Sequence, residues 1–485
     1  MLNFRILSRT IGSLLFVETG MFLLCLIMAV VYKEADLTAF ALSAAVAFGL
    51  GLVLKYVGRR SGKTLGRRDA FFIVATTWII FSSLGVLPMI LSGVCTNLTD
   101  AFFESISGFT TTGTTVFSNV DLLPHGILLW RSLTQWIGGL GIVIFTMALL
   151  PATGESNIRL FSAEATGPTH ERLHPRIATT VKWLFSLYIM LTLLCALCLS
   201  LCGLDVFDSI NHAMSTTATG GFSTHTDGLL YFRNPAVEYV TALFMLLSGI
   251  NFPLLYLLMQ KRRMSTVLAN NELRFYLYSI LLLFLAATAA LILHSHYAPL
   301  EAVRSALFHV ISIQTTTGFV TDRFAAWWHP MWFVLFFVMI TGGCAGSTSG
   351  GVKCIRVLTL MRTATNQFRQ MLHPNAFLPI KVNQITMSSA MERGLLAFIF
   401  WYVLLLLAGT LVFSFLGLPF FQGINVAVCC LSNVGLCDAV VYAPMSELTL
   451  APEAGKWMCA FLMLAGRLEI FPLLLPLAPA FWKEN

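Results

Sequence analysis

Thr110-Thr111-Thr112-Gly113-Thr114-Thr115 decides how this chain is read, because similar runs return three times. They are Thr217-Ala218-Thr219-Gly220-Gly221-Phe222, Thr315-Thr316-Thr317-Gly318-Phe319 and Ser432-Asn433-Val434-Gly435-Leu436. The glycines recur at similar intervals, and each run follows a short semi-polar segment between two long apolar ones. Four copies of one unit predict a pore with four-fold pseudo-symmetry. Backbone carbonyls from four such loops can ring an ion and replace its hydration shell. Glycine suits the task because a backbone that aims successive carbonyls inward must visit positive φ at little cost. The candidate ion-binding residues are Thr111, Thr112 and Gly113; Thr219, Gly220 and Gly221; Thr316, Thr317 and Gly318; and Asn433, Val434 and Gly435.

The bulk composition sets the solvent. The chain has 485 residues, 57% of them hydrophobic and only 11% charged, against about 25% charged in an ordinary soluble domain. This is an all-α polytopic membrane protein, with no room for a sizeable soluble domain between the apolar runs. The net charge of +7 reports loop charge in such a protein rather than nucleic-acid binding. The cysteines lie mostly in apolar runs and suggest no disulfide framework. Cys195, Cys198 and Cys202 share one helical face and read as packing residues, since buried free cysteine behaves as a small hydrophobe.

Residues 1–68 hold two transmembrane helices, near 11–32 and 38–57. The first is too long for the roughly 7–15-residue core of a signal peptide. Four repeats follow, at 69–150, 151–260, 261–362 and 363–485. Their long helices fall near 70–93 and 124–150, 178–203 and 235–260, 275–296 and 329–361, and 390–417 and 453–480. Each reaches the roughly 20 residues needed to span. The segments between them, near 99–109, 206–217, 300–314 and 419–431, cannot span. A short helix and loop at membrane depth is acceptable only where protein or water surrounds it, which makes these re-entrant loops. Most of the 30 lysines and arginines then fall on one side, and the positive-inside rule puts both termini in the cytoplasm.

Aligned on their glycines, the repeats match without gaps. Thirteen positions back stand Asp100, Asp208, Ser305 and Gln422; nine back stand Glu104, His212, His309 and Val426. The short helices would point their partially negative C-terminal ends at the pore, which favours a cation. Acids follow each loop, Asp121, Asp227, Asp322 and Asp438, and would raise the local cation concentration. Glu104, His212 and His309 either brace the short helices by hydrogen bonds or relay protons, since ionisable residues in membranes are often functional.

The last helix of the third repeat contains Gly342-Gly343-Cys344-Ala345-Gly346-Ser347-Thr348-Ser349-Gly350-Gly351. Each glycine costs a helix about 1 kcal/mol relative to alanine, so the helix is expected to break near mid-membrane. A movable plug below the loops is the reading, with Gly342, Gly343, Gly346, Ser347, Thr348, Gly350 and Gly351 as gate residues. Arg467, in Ala465-Gly466-Arg467-Leu468-Glu469, is deep in the final apolar run and is expected to line the pore beside that plug. A guanidinium there needs water or a partner. The Gly-Ser-Thr-Ser-Gly run is not accompanied by a matched base, so no enzyme, no catalytic residue and no covalent cofactor is expected.

With these residues in view, the sequence resembles the Trk/Ktr/HKT superfamily of potassium transporters, and most of all its bacterial TrkH/TrkG branch. The resemblance covers nearly the whole chain. It rests on the four loops, on Gln135-Trp136-Ile137-Gly138-Gly139-Leu140-Gly141, Gly220-Gly221-Phe222-Ser223-Thr224-His225, Gly342 to Gly351, His373-Pro374-Asn375-Ala376 and Gly466-Arg467-Leu468-Glu469. It implies four helix–loop–helix repeats around one K⁺ path, with filter glycines at Gly113, Gly221, Gly318 and Gly435. It also implies an intramembrane loop at Gly342–Gly351, the family's pore arginine at Arg467 and a homodimer with one pore per subunit. A cytosolic, nucleotide-binding TrkA-type ring is the implied regulator. Plant relatives that favour Na⁺ carry serine at the first glycine, so Gly113 implies K⁺, with Rb⁺ as a close substitute. Two positions depart from the branch: the fourth loop reads Gly435-Leu436-Cys437 where Gly-Pro-Gly is frequent, and Ser349 stands where glycine is common. The expected function is K⁺ uptake across a bacterial inner membrane through a gated, channel-like pore. The alternative is a K⁺ symporter coupled to H⁺ or Na⁺.

Overall fold

A computed structural model describes residues 2–59, 66–152, 177–261, 264–322, 327–375, 378–383, 385–436 and 452–483. Asp438, one of the acids expected after the loops, lies outside the described residues, as does Ala376. The described chain is almost entirely helical, apart from one two-stranded antiparallel pair, Lys381–Val382 with Ile385–Thr386. Six helices among the described residues are long and apolar enough to cross a membrane, or eight if two sharply bent pairs each count as one span. The protein is therefore a multi-pass membrane protein.

The first two helices, α1 (Phe4–Tyr32) and α2 (Leu37–Val57), form a hairpin. Asn3 caps α1 by accepting from the Ile6 amide. A Cβ on Gly12 would lie 2.7 Å from the Lys55 nitrogen and 2.8 Å from the Gly51 carbonyl oxygen. Close approach through small residues is how membrane helices gain van der Waals contact where no hydrophobic force separates them from lipid. The hairpin leans on the rest of the protein through Phe22, whose ring stacks on the buried Trp130 at 4.5 Å.

Four helix–short helix–loop–helix units follow. The first comprises α3 (Arg67–Leu84), α4 (Leu87–Leu91), the short α5 (Leu98–Phe109) and α6 (His125–Ala152). The second has α7 (Ile177–Leu201), the short α8 (Val206–Ala218), α9 (Pro235–Ser248) and α10 (Phe252–Lys261). After the small α11 (Met264–Leu268), the third has α12 (Asn271–Leu293), the short α13 (Pro299–Gln314), α14 (His329–Thr341) and α15 (Cys354–Leu372). The fourth has α16 (Ser389–Phe415), the short α17 (Phe420–Ser432), α18 (Glu453–Arg467) and α19 (Phe471–Leu474).

Two helices read as continuous are sharply bent, whereas the run at 70–93 stays one span, Arg68–Leu91, with only a short turn between α3 and α4. The run at 235–260 bends by 102° between α9 and α10, and that at 453–480 by 120° after Arg467. Prolines explain both bends. Pro253 and Pro472 stand at the second residue of α10 and α19, and a proline has no amide with which to continue the ladder of the preceding helix. Arg467 is consequently the last residue of α18, not the interior of a helix. Glu469 and Ile470, just beyond, adopt positive φ. The expected interruption at Gly342–Gly351 is present, between α14 and α15.

Candidate functional site

Each short helix ends in the same way. Thr111, Thr219, Thr316 and Asn433 all take left-handed backbone, with φ of 53°, 53°, 57° and 55°. Their amides donate to the carbonyls three residues back, on Gly108, Thr216, Ile313 and Cys430. The next amides, on Thr112, Gly220, Thr317 and Val434, donate five residues back to Ser107, Ser215, Ser312 and Cys429 at 2.9–3.0 Å. This pair of bonds is the Schellman termination of a helix, which ordinarily puts glycine or asparagine at the left-handed position. Three of the four positions instead carry threonine, a β-branched residue for which such backbone costs about 1–3 kcal/mol. Two residues on, Gly113, Gly221, Gly318 and Gly435 also have positive φ, of 84°, 82°, 83° and 76°.

Those glycines join the loops. A Cβ on Gly113 would overlap the carbonyl oxygen of Gly220, and one on Gly221 that of Thr317. One on Gly318 would overlap the Val434 oxygen, and one on Gly435 the Thr112 oxygen. In each case the neighbour is the residue just before the glycine of the next loop. The four loops thus close a ring in chain order, with backbone against backbone and no space for a side chain at any of the four glycines.

The residues nine positions before the glycines brace the ring. Glu104 accepts from the Thr115 hydroxyl, from the Val116 amide at 2.9 Å and from Arg131 Nε at 2.8 Å. Arg131 also donates to the Ser223 carbonyl at 2.9 Å, linking the first loop to the second. The imidazole of His212 meets the Asp208 carbonyl through Nδ1 and the Ser223 hydroxyl through Nε2. At His309, Nδ1 faces the Ser305 carbonyl and Nε2 accepts from the Thr321 amide. A ring nitrogen that accepts from an amide carries no proton, so His309 is the neutral Nδ1–H tautomer. Of the two readings of these groups, bracing is the one these bonds serve. Gln135 on α6 adds a further tie: its Nε2 donates to the Gly220 carbonyl, and its Oε1 accepts from Ser215 and from the Phe222 amide. Arg131 and Gln135 were not read from sequence as site residues. Their signal is a polar pair, one turn apart, opening an otherwise apolar helix.

At the face where the chain leaves the ring, His225 bridges two carboxylates, Asp121 at 2.8 Å and Asp208 at 3.2 Å, and stacks on Tyr231 at 3.7 Å. Burial works against the imidazolium. The bonds and charges of Asp208 and Asp121 outweigh it and hold His225 above its ordinary value. Burial likewise opposes the Asp121 carboxylate, but hydrogen bonds from Thr226 and His225 bring it below the usual range. Asp322 accepts from Ser305 and Trp327, while Asp227 is exposed. The acids after the loops are therefore not equivalent.

The glycine-rich segment lies against the opposite face of the ring. Thr348 Oγ1 is within 3.1 Å of the Thr217 carbonyl and 3.3 Å of the Thr219 hydroxyl. The Gly350 amide donates to Thr316 Oγ1 at 2.6 Å, and a Cβ on Gly350 would overlap the Ser432 carbonyl. Ser347 bonds Ser349, and a Cβ on Gly342 would overlap the Gly350 carbonyl, so the segment folds back on itself. Gly342, Gly346 and Gly351 have positive φ. Gly343 Cα faces Gly249, across the bend between α9 and α10. Arg467, 2% exposed, donates to the Thr348 carbonyl and to the Gly138 carbonyl, both at 2.8 Å. Four more charged residues frame the segment, and of these only Glu469 was singled out in the sequence, as part of the run around Arg467. Glu272 accepts from the Ala345 amide, Lys353 donates to the Ser349 carbonyl, and Arg356 pairs with Glu469 at 2.7 Å.

Two predictions follow from these braces. Glu104 and Arg131 are 0% and 2% exposed, so removing one partner strands a buried charge at a cost of about 3–5 kcal/mol. Arg131→Met should lower the thermal midpoint of the solubilised protein more than the double variant Glu104→Gln/Arg131→Met does; equal losses would contradict the pairing. The His225 contribution, from a raised value, is complete below the ordinary histidine value of about 6.5 and is lost as pH rises through the raised one. The Asp121 contribution, from a lowered value, is lost at the acid end. Thermal midpoints should therefore fall on the alkaline side, and His225→Gln should remove that fall.

Comparison with known proteins gives the same outline. Residues 37–484 match the family model described as TrkH, cation transport protein. The chain is 36% identical, over the full length of both, to the Trk system potassium uptake protein TrkH of Salmonella typhimurium. It is 33% identical to the Trk system potassium uptake protein TrkG of Escherichia coli, over 99% of each chain. The crystal structure of the potassium transporter TrkH from Vibrio parahaemolyticus superposes with a TM-score of 0.90, at 33% identity, covering 99% of this chain and all of that one. These relatives are named for transport and not for catalysis, and the chain belongs to the TrkH family of cation transport proteins.

Proposed function

We propose that this protein takes up K⁺ across the bacterial inner membrane through a gated, channel-like path down the axis of the ring. The ring itself carries the proposal: four helix C-termini, four left-handed residues and four glycines meet backbone to backbone. Helix C-termini carry about half a negative charge each, and backbone carbonyls are the ligands that replace potassium's water. Thr111–Gly113, Thr219–Gly221, Thr316–Gly318 and Asn433–Gly435 line the filter on this reading. The full-length identity to proteins named for potassium uptake supports K⁺ as the ion.

The glycine-rich segment, Gly342 to Gly351, acts as the gate, held against the filter with Arg467 beside it. The guanidinium opposes a passing cation at that level, so the closed state combines a steric and an electrostatic block. Coupling to H⁺ or Na⁺ would need an ionisable group free to exchange a proton. Glu104, His212 and His309 are engaged in bracing, which favours the channel-like reading over the symporter. Both termini lie in the cytoplasm by the distribution of lysine and arginine. The protein works as a homodimer, and a cytosolic, nucleotide-binding TrkA-type subunit meets its basic face.

Gly113→Ser tests the filter. The strain of a side chain at that φ, about 1–3 kcal/mol, adds to its overlap with the Gly220 carbonyl. The preference for K⁺ over Na⁺, read from reversal potentials in planar bilayers, should fall by about tenfold or more. An unchanged preference would contradict the assignment of the first loop.

A further inference from the structure

We propose that Thr316 couples the gate to the filter, acting as the hydroxyl latch that the glycine-rich segment must release to open. The inference rests on the reading of the ring as the ion path. The four loops are near-copies, yet their left-handed residues have different partners. Thr316 Oγ1 accepts from the Gly350 amide at 2.6 Å. Thr219 has its hydroxyl 2.7 Å from the Ala218 carbonyl and only 3.3 Å from Thr348. Asn433 donates to Thr112 and to the Met463 carbonyl. The methyl side of Thr111 faces α6, where a Cβ on Gly138 would lie 3.2 Å from Thr111 Cγ2. Only the third loop gives the segment a short bond from a backbone amide among the described residues.

The surroundings make this bond consequential. Thr316 and Gly350 are both buried, so an amide left without its acceptor pays a desolvation penalty rather than finding water. Gly350 can approach because it has no side chain; a Cβ there would overlap the Ser432 carbonyl and sit 3.1 Å from Asn433 Cβ. The neighbouring hydroxyls of the third loop are occupied elsewhere, since Thr315 bonds Thr317 at 2.8 Å and the Ile311 carbonyl at 2.7 Å. When the segment withdraws, Gly350 takes its amide away and the Thr316 oxygen is released toward the path. The filter then gains an oxygen at the moment the way beneath it clears. Occupancy of the inner filter and the position of the gate thus share one atom.

A native thiol reports gate position without relying on flux. Cys344 lies within the segment and is 0% exposed, so its alkylation tracks the population in which the segment has opened. In liposomes holding the full-length protein, N-ethylmaleimide labelling of Cys344, followed by mass spectrometry, should be about tenfold faster in Thr316→Val, the scale set by one stranded buried amide. Thr316→Ser keeps the acceptor and should label at the wild-type rate, as should Thr111→Val, whose hydroxyl does not hold the segment. Gly350→Ala, which pushes the segment off the fourth loop, provides a second opening variant should Thr316→Val fail to fold. A wild-type labelling rate in a folded Thr316→Val, the same rate in Gly350→Ala should Thr316→Val fail to fold, or equal acceleration in Thr111→Val, would overturn the latch. Loss of K⁺ preference in the wild-type protein would instead count against the ion-path reading, and the labelling rates would still decide the latch.

Discussion

Four helix C-termini meet at one buried point, and the rest of the structure answers to that. Each end carries partial negative charge and carbonyls that the helix itself cannot satisfy. The Schellman bonds satisfy some of them. The remaining oxygens crowd together around the glycines, where a cation is the natural complement. A ring of this kind is unfavourable unless its surroundings hold it in place. The buried Glu104–Arg131 pair, the two histidines and Gln135 provide that support, each fastening one short helix to its own loop or to the next.

The two faces of the ring are built differently. On one, His225 gathers Asp121 and Asp208 into a partly buried polar clasp. On the other, the glycine-rich segment is packed against three of the four loops and pinned by Arg467. Glycine serves two purposes across the molecule. In the ring it allows positive φ and close backbone contact. In the segment it lets a chain fold back on itself between two helices, and in a membrane protein such open backbone is tolerated where protein surrounds its polar groups. There the Gly342, Ala345 and Thr348 carbonyls accept from Gln314, Asn251 and Arg467, and the Ala345 amide donates to Glu272.

Much of this was legible because it is repeated. One threonine–glycine run says little, but four in matched positions identify the ring glycines and the short helices before them. What repetition could not reveal is what differs between repeats. The left-handed threonines were hidden because that position normally advertises itself with glycine. The bends after Ser248 and Arg467 were hidden because hydropathy registers apolarity and not direction; Pro253 and Pro472 were the available signals. Arg131 was not singled out, although its partner Glu104 stood in the alignment. Glu272, Glu469 and the pair Lys353 and Arg356 come together only through the fold, since they lie on three separate stretches of chain around one segment.

The central claim is a cation-selective path through the ring, and flux into liposomes holding the purified protein alone tests it most directly. K⁺, Rb⁺, Na⁺ and Li⁺ would be compared with and without a proton gradient, at two pH values, adding the cytosolic partner where basal flux is low. The expected result is flux that favours K⁺ and Rb⁺ and is indifferent to the proton gradient. Flux that follows the proton gradient, or that fails to distinguish K⁺ from Na⁺, would contradict the account.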